Sequence, residues 1–114
     1  MNNIEALEEQ LKNEKLRVER RDAIIRLSKN VDFRKIIIED FCRNECARYV
    51  HESADPSLTA EQRQDALNIA QAAGHLKRFL NISITMGDVS DRTIVDLNHA
   101  IEEARAGEDL EEID

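Results

Sequence analysis

Residues 3–29, NIEALEEQLKNEKLRVERRDAIIRLSK, decide the fold class. They contain neither Gly nor Pro, and Glu, Leu, Lys and Arg, all good helix formers, dominate them. Ile4, Leu11, Val18 and Ile25 recur every seven residues, and Leu7 occupies the companion position of the first heptad. The next two companion positions hold Glu14 and Arg21, so the apolar seam is interrupted. The spacing predicts an amphipathic helix. Its apolar stripe, Ile4, Leu7, Leu11, Val18 and Ile25, either docks on a partner or packs on the chain's own domain.

Outward from this stretch the same grammar continues. Ser28, Asn30 and Asp32 are candidate N-caps, so a break is expected near residue 30. Beyond it, Phe33, Ile36, Ile37 and Phe41 share one face at helical spacing, and Ile38, Cys42, Cys46 and Val50 form an adjacent stripe. Together they predict the most buried helix, over about 32–52. Residues 53–58 hold the only Pro, Pro56, and form the clearest loop. Thr59-Ala60-Glu61-Gln62 matches a capping box. The helix that it opens is expected to run to about Met86, with Leu67, Ile69, Ala73, Leu76, Leu80 and Ile84 inward. Gly74, beside Ala72 and Ala73, makes a patch where another helix can approach closely. Gly87 is expected to cap that helix, Ser90 or Asp91 to open a last one over 91–106, and Gly107 to end it. The predicted fold is all-α: a small bundle of about three helices (30–106), preceded by a long N-terminal helical arm (1–29) and followed by an acidic tail (107–114).

Composition narrows the function. The chain has 114 residues, enough for one modest core. Aromatic residues make up 4% and Trp is absent, which argues against a base-stacking platform or a large ligand pocket. No apolar run approaches the length of a membrane span, and the N-terminus lacks the apolar core of a secretory signal. A cytosolic setting with reduced thiols is the expectation. Cys42 and Cys46, four apart, can supply two metal ligands, with His51 five positions on, but His75 or His99 would have to fold back to complete a zinc set. Buried free thiols are the simpler expectation, and no cofactor or metal is expected. No nucleophile turn, phosphate loop or Gly-rich nucleotide motif is present, so an enzyme is not expected.

Charge is the strongest functional signal. The formal net charge is −8, yet residues 1–50 carry eleven basic and ten acidic side chains, against five and fourteen in residues 51–114. Residues 12–35 alone hold nine basic and four acidic side chains. Arg17, Arg20, Arg21 and Arg26 are the candidate contacts to an anionic partner. Glu14, Glu19 and Asp22 interleave with them, which suits intrahelical ion pairing, and the overall acidity repels a nucleic-acid duplex. The tail sets Leu110 and Ile113 among five carboxylates, a pattern able to dock on a basic groove.

The run Leu27-Ser28-Lys29-Asn30-Val31-Asp32-Phe33, then Ile36-Ile37-Ile38-Glu39-Asp40-Phe41, then Glu45-Cys46-Ala47-Arg48-Tyr49-Val50, together with Ala73-Gly74-His75-Leu76-Lys77-Arg78-Phe79-Leu80, resembles small helical proteins encoded by tailed bacteriophages. The resemblance covers roughly residues 23–87, and neither the two Cys nor the Ile triplet belongs to the shared pattern. It implies a virion or head-assembly role, in host cytoplasm during assembly and then in the particle, with other phage structural proteins as multi-copy partners. It transfers no catalytic residues. The alternatives are a phage regulatory protein that binds a host nucleic-acid enzyme, and a small helical nucleic-acid-binding protein. No membrane and no small-molecule substrate enter any of these readings.

Overall fold

A computed structural model describes residues 2–113, with side chains through Glu111. The fold is all-α: among the described residues there is no strand. Helix α1 spans Asn3–Ser28 and the short α2 spans Val31–Phe33. A π-helical segment, Arg34–Glu45, leads into α3, Cys46–Ser53, and a loop connects α3 to α4, Ala60–Ile113.

Local chemistry explains the helix starts. The Asn2 side chain accepts the Glu5 amide at 2.8 Å, opening α1. At the break, Asn30 caps α2 by accepting the Phe33 amide at 2.9 Å. The capping box at α4 is reciprocal: the Gln62 amide donates to the Thr59 hydroxyl at 3.1 Å, and the Thr59 amide to Gln62 Oε1 at 2.9 Å. Removing the hydroxyl orphans one amide and frees its partner. Thr59→Ala is therefore expected to cost about 1 kcal/mol in denaturant unfolding.

The chain divides into two compact units, Met1–Ala23 with Ser83–Asp114, and Ile24–Ile82. In the first, α1 and the second half of α4 run antiparallel: Glu8 pairs with Arg105 at 2.7 Å, and Arg21 with Asp88 at 3.0 Å. Leu97 and Ile101 are its buried aliphatic side chains. In the second, the helical stretch from Val31 to Ser53 folds back on the first half of α4. There the Cys46 thiol donates to the Ala70 carbonyl at 3.6 Å. Buried Ala66, Ala70 and Ala73 present a small-residue surface that lets the two helix axes approach closely.

Three expectations are corrected. The helices expected at 59–86 and 91–106 are one helix, and neither Gly87 nor Gly107 ends it. Both glycines keep negative φ. Ser90, 1% exposed, sits in the seam instead of capping, and Asp91 pairs with Arg21. Burial also recurs at Ser83, Gly87, Ser90, Leu97 and Ile101, steps of four, three, seven and four, which carries one face through the expected break. The acidic stretch 107–111 is the helical continuation of α4, with Leu110 exposed; Asp114 and the side chains of Glu112 and Ile113 lie outside the described residues.

Second, Ile36 and Val50 are exposed at 55% and 51%. The stretch Arg34–Glu45 is wound with i→i+5 bonding, visible where the Cys46 amide donates to the Phe41 carbonyl. The wider turn displaces side chains from an α-helical phase. Cys42 becomes the buried residue, while Ile36, in phase with Phe33 at α spacing, points outward. Third, Leu67 and Ile69 flank the inner face of α4, because the alanines occupy it.

Candidate docking surface

The stripe on α1 is used within the chain. Ile4, Leu7, Leu11 and Val18 are half-buried in the unit formed with Ser83–Asp114, and Ile25 is half-buried in the other unit, next to buried Ile24. The apparent interruptions at Glu14 and Arg21 belong to the same seam. Glu14 is buried and holds Arg17 at 2.8 Å. Arg21 lies over Gly87, whose missing side chain makes the room, and its guanidinium reaches Asp22, Asp88 and Asp91. Hydrogen bonding to Asp91, then to Asp22, holds the Arg21 pKa above its ordinary range. Polar residues of α1 thus meet small residues of α4, which fixes one register for the pair. No buried side-chain nitrogen or oxygen among the described residues lacks a partner.

The arginines expected to contact an anion therefore separate into two sorts. Arg17 and Arg21 are committed to carboxylates of their own chain. Arg20 and Arg26 are exposed and make no ion pair among the described residues. A continuous basic surface does not result, because the two charges that would join them are neutralised.

Large apolar side chains are exposed in both units. In the unit Ile24–Ile82, Val31, Phe79, Ile82 and Ile69 are exposed, at 69%, 53%, 40% and 38%. A groove of about 380 Å³ lies between α3 and α4 in this unit, at the end nearest the loop. Tyr49, Leu58, Ala66 and Ile69 line its apolar part, and Glu52, Asp55 and Asp65 its acidic part. Arg48 covers the Tyr49 ring at 4.3 Å while binding Glu45 and Glu52. Asp55 accepts the Ser57 amide at 2.9 Å and the Ser57 hydroxyl at 2.8 Å, and these bonds hold its carboxyl below the usual range. In the other unit a smaller groove of about 170 Å³ has Met86, Val89, Thr93 and Arg17 along its walls and Glu14 and Ser90 among its lining residues.

The cysteines are free thiols. Burial pushes the Cys42 thiol up, away from the reactive thiolate. No group of three or more His, Cys, Asp or Glu among the described residues is placed to hold a metal ion. No helix is long and apolar enough to cross a membrane among those residues. Phe79 and Ile82 had no place in the expected docking stripe. Their signal was a second three-and-four spacing on α4, beside the inner one.

No protein-family model matches this chain, and no curated protein or solved structure is similar to it.

Proposed function

We propose that this chain is a non-enzymatic bacteriophage protein of the virion or of head assembly, working by helix-mediated docking onto neighbouring phage structural proteins. The observation that carries the docking is an inversion of side-chain size. Among the described residues the buried hydrophobic set is Ile24, Cys42, Ala66, Ala70, Ala73, Leu97 and Ile101, three of the seven being alanine, whereas thirteen large hydrophobic residues are exposed. Paired helices whose large apolar side chains face outward gain by covering them with another protein. The phage setting comes from the sequence resemblance over residues 23–87, and it places the chain in host cytoplasm during assembly and then in the particle. Arg17 and Arg21 being bound to the chain's own carboxylates favours protein over nucleic acid as the partner.

The test is the composition of purified particles and assembly intermediates by mass spectrometry. Stoichiometric presence of the chain is expected. Its consistent absence from both would overturn the structural role and favour the regulatory alternative.

A further inference from the structure

The two ends of the unit Ile24–Ile82 differ in charge. Residues 45–69, which hold α3, the loop and the first turns of α4, carry five acidic and two basic side chains. The rest of the unit, residues 24–44 and 70–82, carries three acidic and seven basic ones. At the loop end three of the acids, Glu52, Asp55 and Asp65, meet in the lining of the groove of about 380 Å³, and no basic side chain joins them there. Tyr49, Leu58 and Ile69 give the same groove its apolar wall.

The two cations of this end do not cancel its charge. Arg48 is shared between Glu45 and Glu52, one guanidinium for two carboxylates. Arg63 donates to the backbone carbonyls of Asp55 and Leu58. The Asp55 carboxylate takes its hydrogen bonds from the neutral amide and hydroxyl of Ser57 and keeps its charge. Asp65 is exposed and makes no ion pair among the described residues. This lining decides what fits the groove. Phosphates and acidic segments are repelled. A wholly apolar segment would strip water from three carboxylates without pairing them. A bare inorganic cation would leave Tyr49, Leu58 and Ile69 uncovered. An aliphatic side chain flanked by Lys or Arg meets both demands, its basic neighbours laying their stems along the apolar wall and their heads at the carboxylates.

We propose that the groove between α3 and α4 docks a basic amphipathic segment of a partner protein, an aliphatic anchor flanked by Lys or Arg. The proposal rests on the docking reading and adds to it the partner's charge and the place of contact. Burial of the apolar wall supplies the energy, and the carboxylates select which segment is admitted. The groove of the other unit differs, because its carboxylate, Glu14, is already paired with Arg17 within the same lining.

Tyr49 is the single tyrosine of the chain and Trp is absent, so intrinsic fluorescence reports this groove. The probe is a synthetic peptide with Leu and Arg at helical spacing and no aromatic residue, titrated into the full chain. It should change Tyr49 emission saturably and shift the amide resonances of residues 49–69 most. A Leu–Glu counterpart should do neither, and a Ser–Arg peptide of the same charge should bind about tenfold more weakly or worse. Asp65→Lys, at an exposed position, should weaken binding of the Leu–Arg peptide about tenfold or more while leaving helicity by circular dichroism unchanged. Glu103→Lys makes the same charge change at an exposed position of the other unit and should leave the affinity within about twofold. No binding of the Leu–Arg peptide, binding indifferent to Asp65→Lys, an equal loss in Glu103→Lys, or equal affinity for the Ser–Arg peptide each overturns the proposal. A chain that binds no such peptide yet is stoichiometric in particles would leave the docking role standing through another face. A chain that binds it but is absent from particles would keep the groove's preference and lose the structural role.

Discussion

Leu97→Ala and Ile101→Ala are each expected to lower the unfolding free energy by about 2–5 kcal/mol. The two side chains are 6% and 5% exposed and are the large aliphatic residues fully buried in the unit of Met1–Ala23 and Ser83–Asp114. Around them the inner face of α4 holds Ser83, Gly87 and Ser90, which bury little apolar area. The hydrophobic contribution of this helix pair is therefore concentrated at one end, where Leu97 and Ile101 meet the half-buried apolar side chains of early α1. Truncation removes the transfer free energy of three methyl-sized groups and leaves a cavity that the neighbouring helix only partly closes. Urea unfolding should show a lower midpoint with an unchanged slope. Val95→Ala is the control, because Val95 is 54% exposed two residues before Leu97. It should change stability by no more than about 0.5 kcal/mol. Equal losses at Val95 and Leu97 would refute this placement of the core.

Much of the architecture was legible in the sequence because the signals were local. The capping box at Thr59–Gln62, the cap at Asn30 and the loop around Pro56 each depend on residues within one turn of one another, and all three stand as expected. The all-α class followed from a chain nearly devoid of Gly and Pro. What failed were inferences from residue type that a neighbouring helix overrides. Gly87 and Ser90 look like the end of one helix and the start of another. The place of Gly87 is instead set by Arg21 on the facing helix, which needs a small residue opposite it, and Ser90 is buried on the same face of α4. No signal within twenty residues of Gly87 announces that need. Its sequence trace lies in Arg21, a polar position of the α1 heptad, seen there as an interruption.

The core of the unit Ile24–Ile82 departs from the expected pattern at particular positions for a related reason. Of the positions expected inward, Ala73 is buried and Leu76, Leu80 and Ile84 are half-buried, while Leu67 and Ile69 lie outside the contact, which Ala66 and Ala70 line instead. Hydrophobicity ranks Ile above Ala, but close approach of two helix axes selects for size, and the spacing of Ala66, Ala70 and Ala73 carried that information. The π-helical winding of Arg34–Glu45 was not legible at all. Three successive isoleucines suit several phases, so α spacing puts Ile36 on a buried stripe while the wider turn exposes it; Val50, in the α-helical stretch that follows, is exposed as well. The apolar stripe on α1, for which the sequence leaves an external and an internal partner open, is half-buried within the chain. The partner helix, α4, lies far along the same chain, and sequence spacing alone does not distinguish an internal partner from an external one.

Gly87→Ala is expected to destabilise the protein by about 1–2 kcal/mol, although the same substitution at the other two glycines of α4 should stabilise it. All three glycines sit in one continuous helix with negative φ, so alanine gains up to about 1 kcal/mol of helix propensity at each. At Gly74 and Gly107 an added methyl meets nothing within 4 Å, and that gain should appear nearly intact as a higher melting temperature. At Gly87 the new Cβ would lie 2.3 Å from the Arg21 Cβ and 2.8 and 2.9 Å from its Cδ and Cγ. The nearest of these atoms is fixed to the backbone and no rotamer removes it. The helices must move apart, at an overpacking cost of about 1–3 kcal/mol that outweighs the propensity gain. Separation also draws the Arg21 guanidinium away from Asp88 and Asp91, so the loss should grow at low ionic strength, where those ion pairs are strongest. Arg21→Gly combined with Gly87→Ala moves the methyl from one helix to the other and relieves the overlap. Its stability should exceed the sum of the two single changes, a coupling that residues in direct contact produce and distant ones do not. If all three alanine variants were equally stabilised and Gly87→Ala showed no coupling to Arg21, then Arg21 would not lie over Gly87, and the polar seam of this helix pair would have to be placed elsewhere.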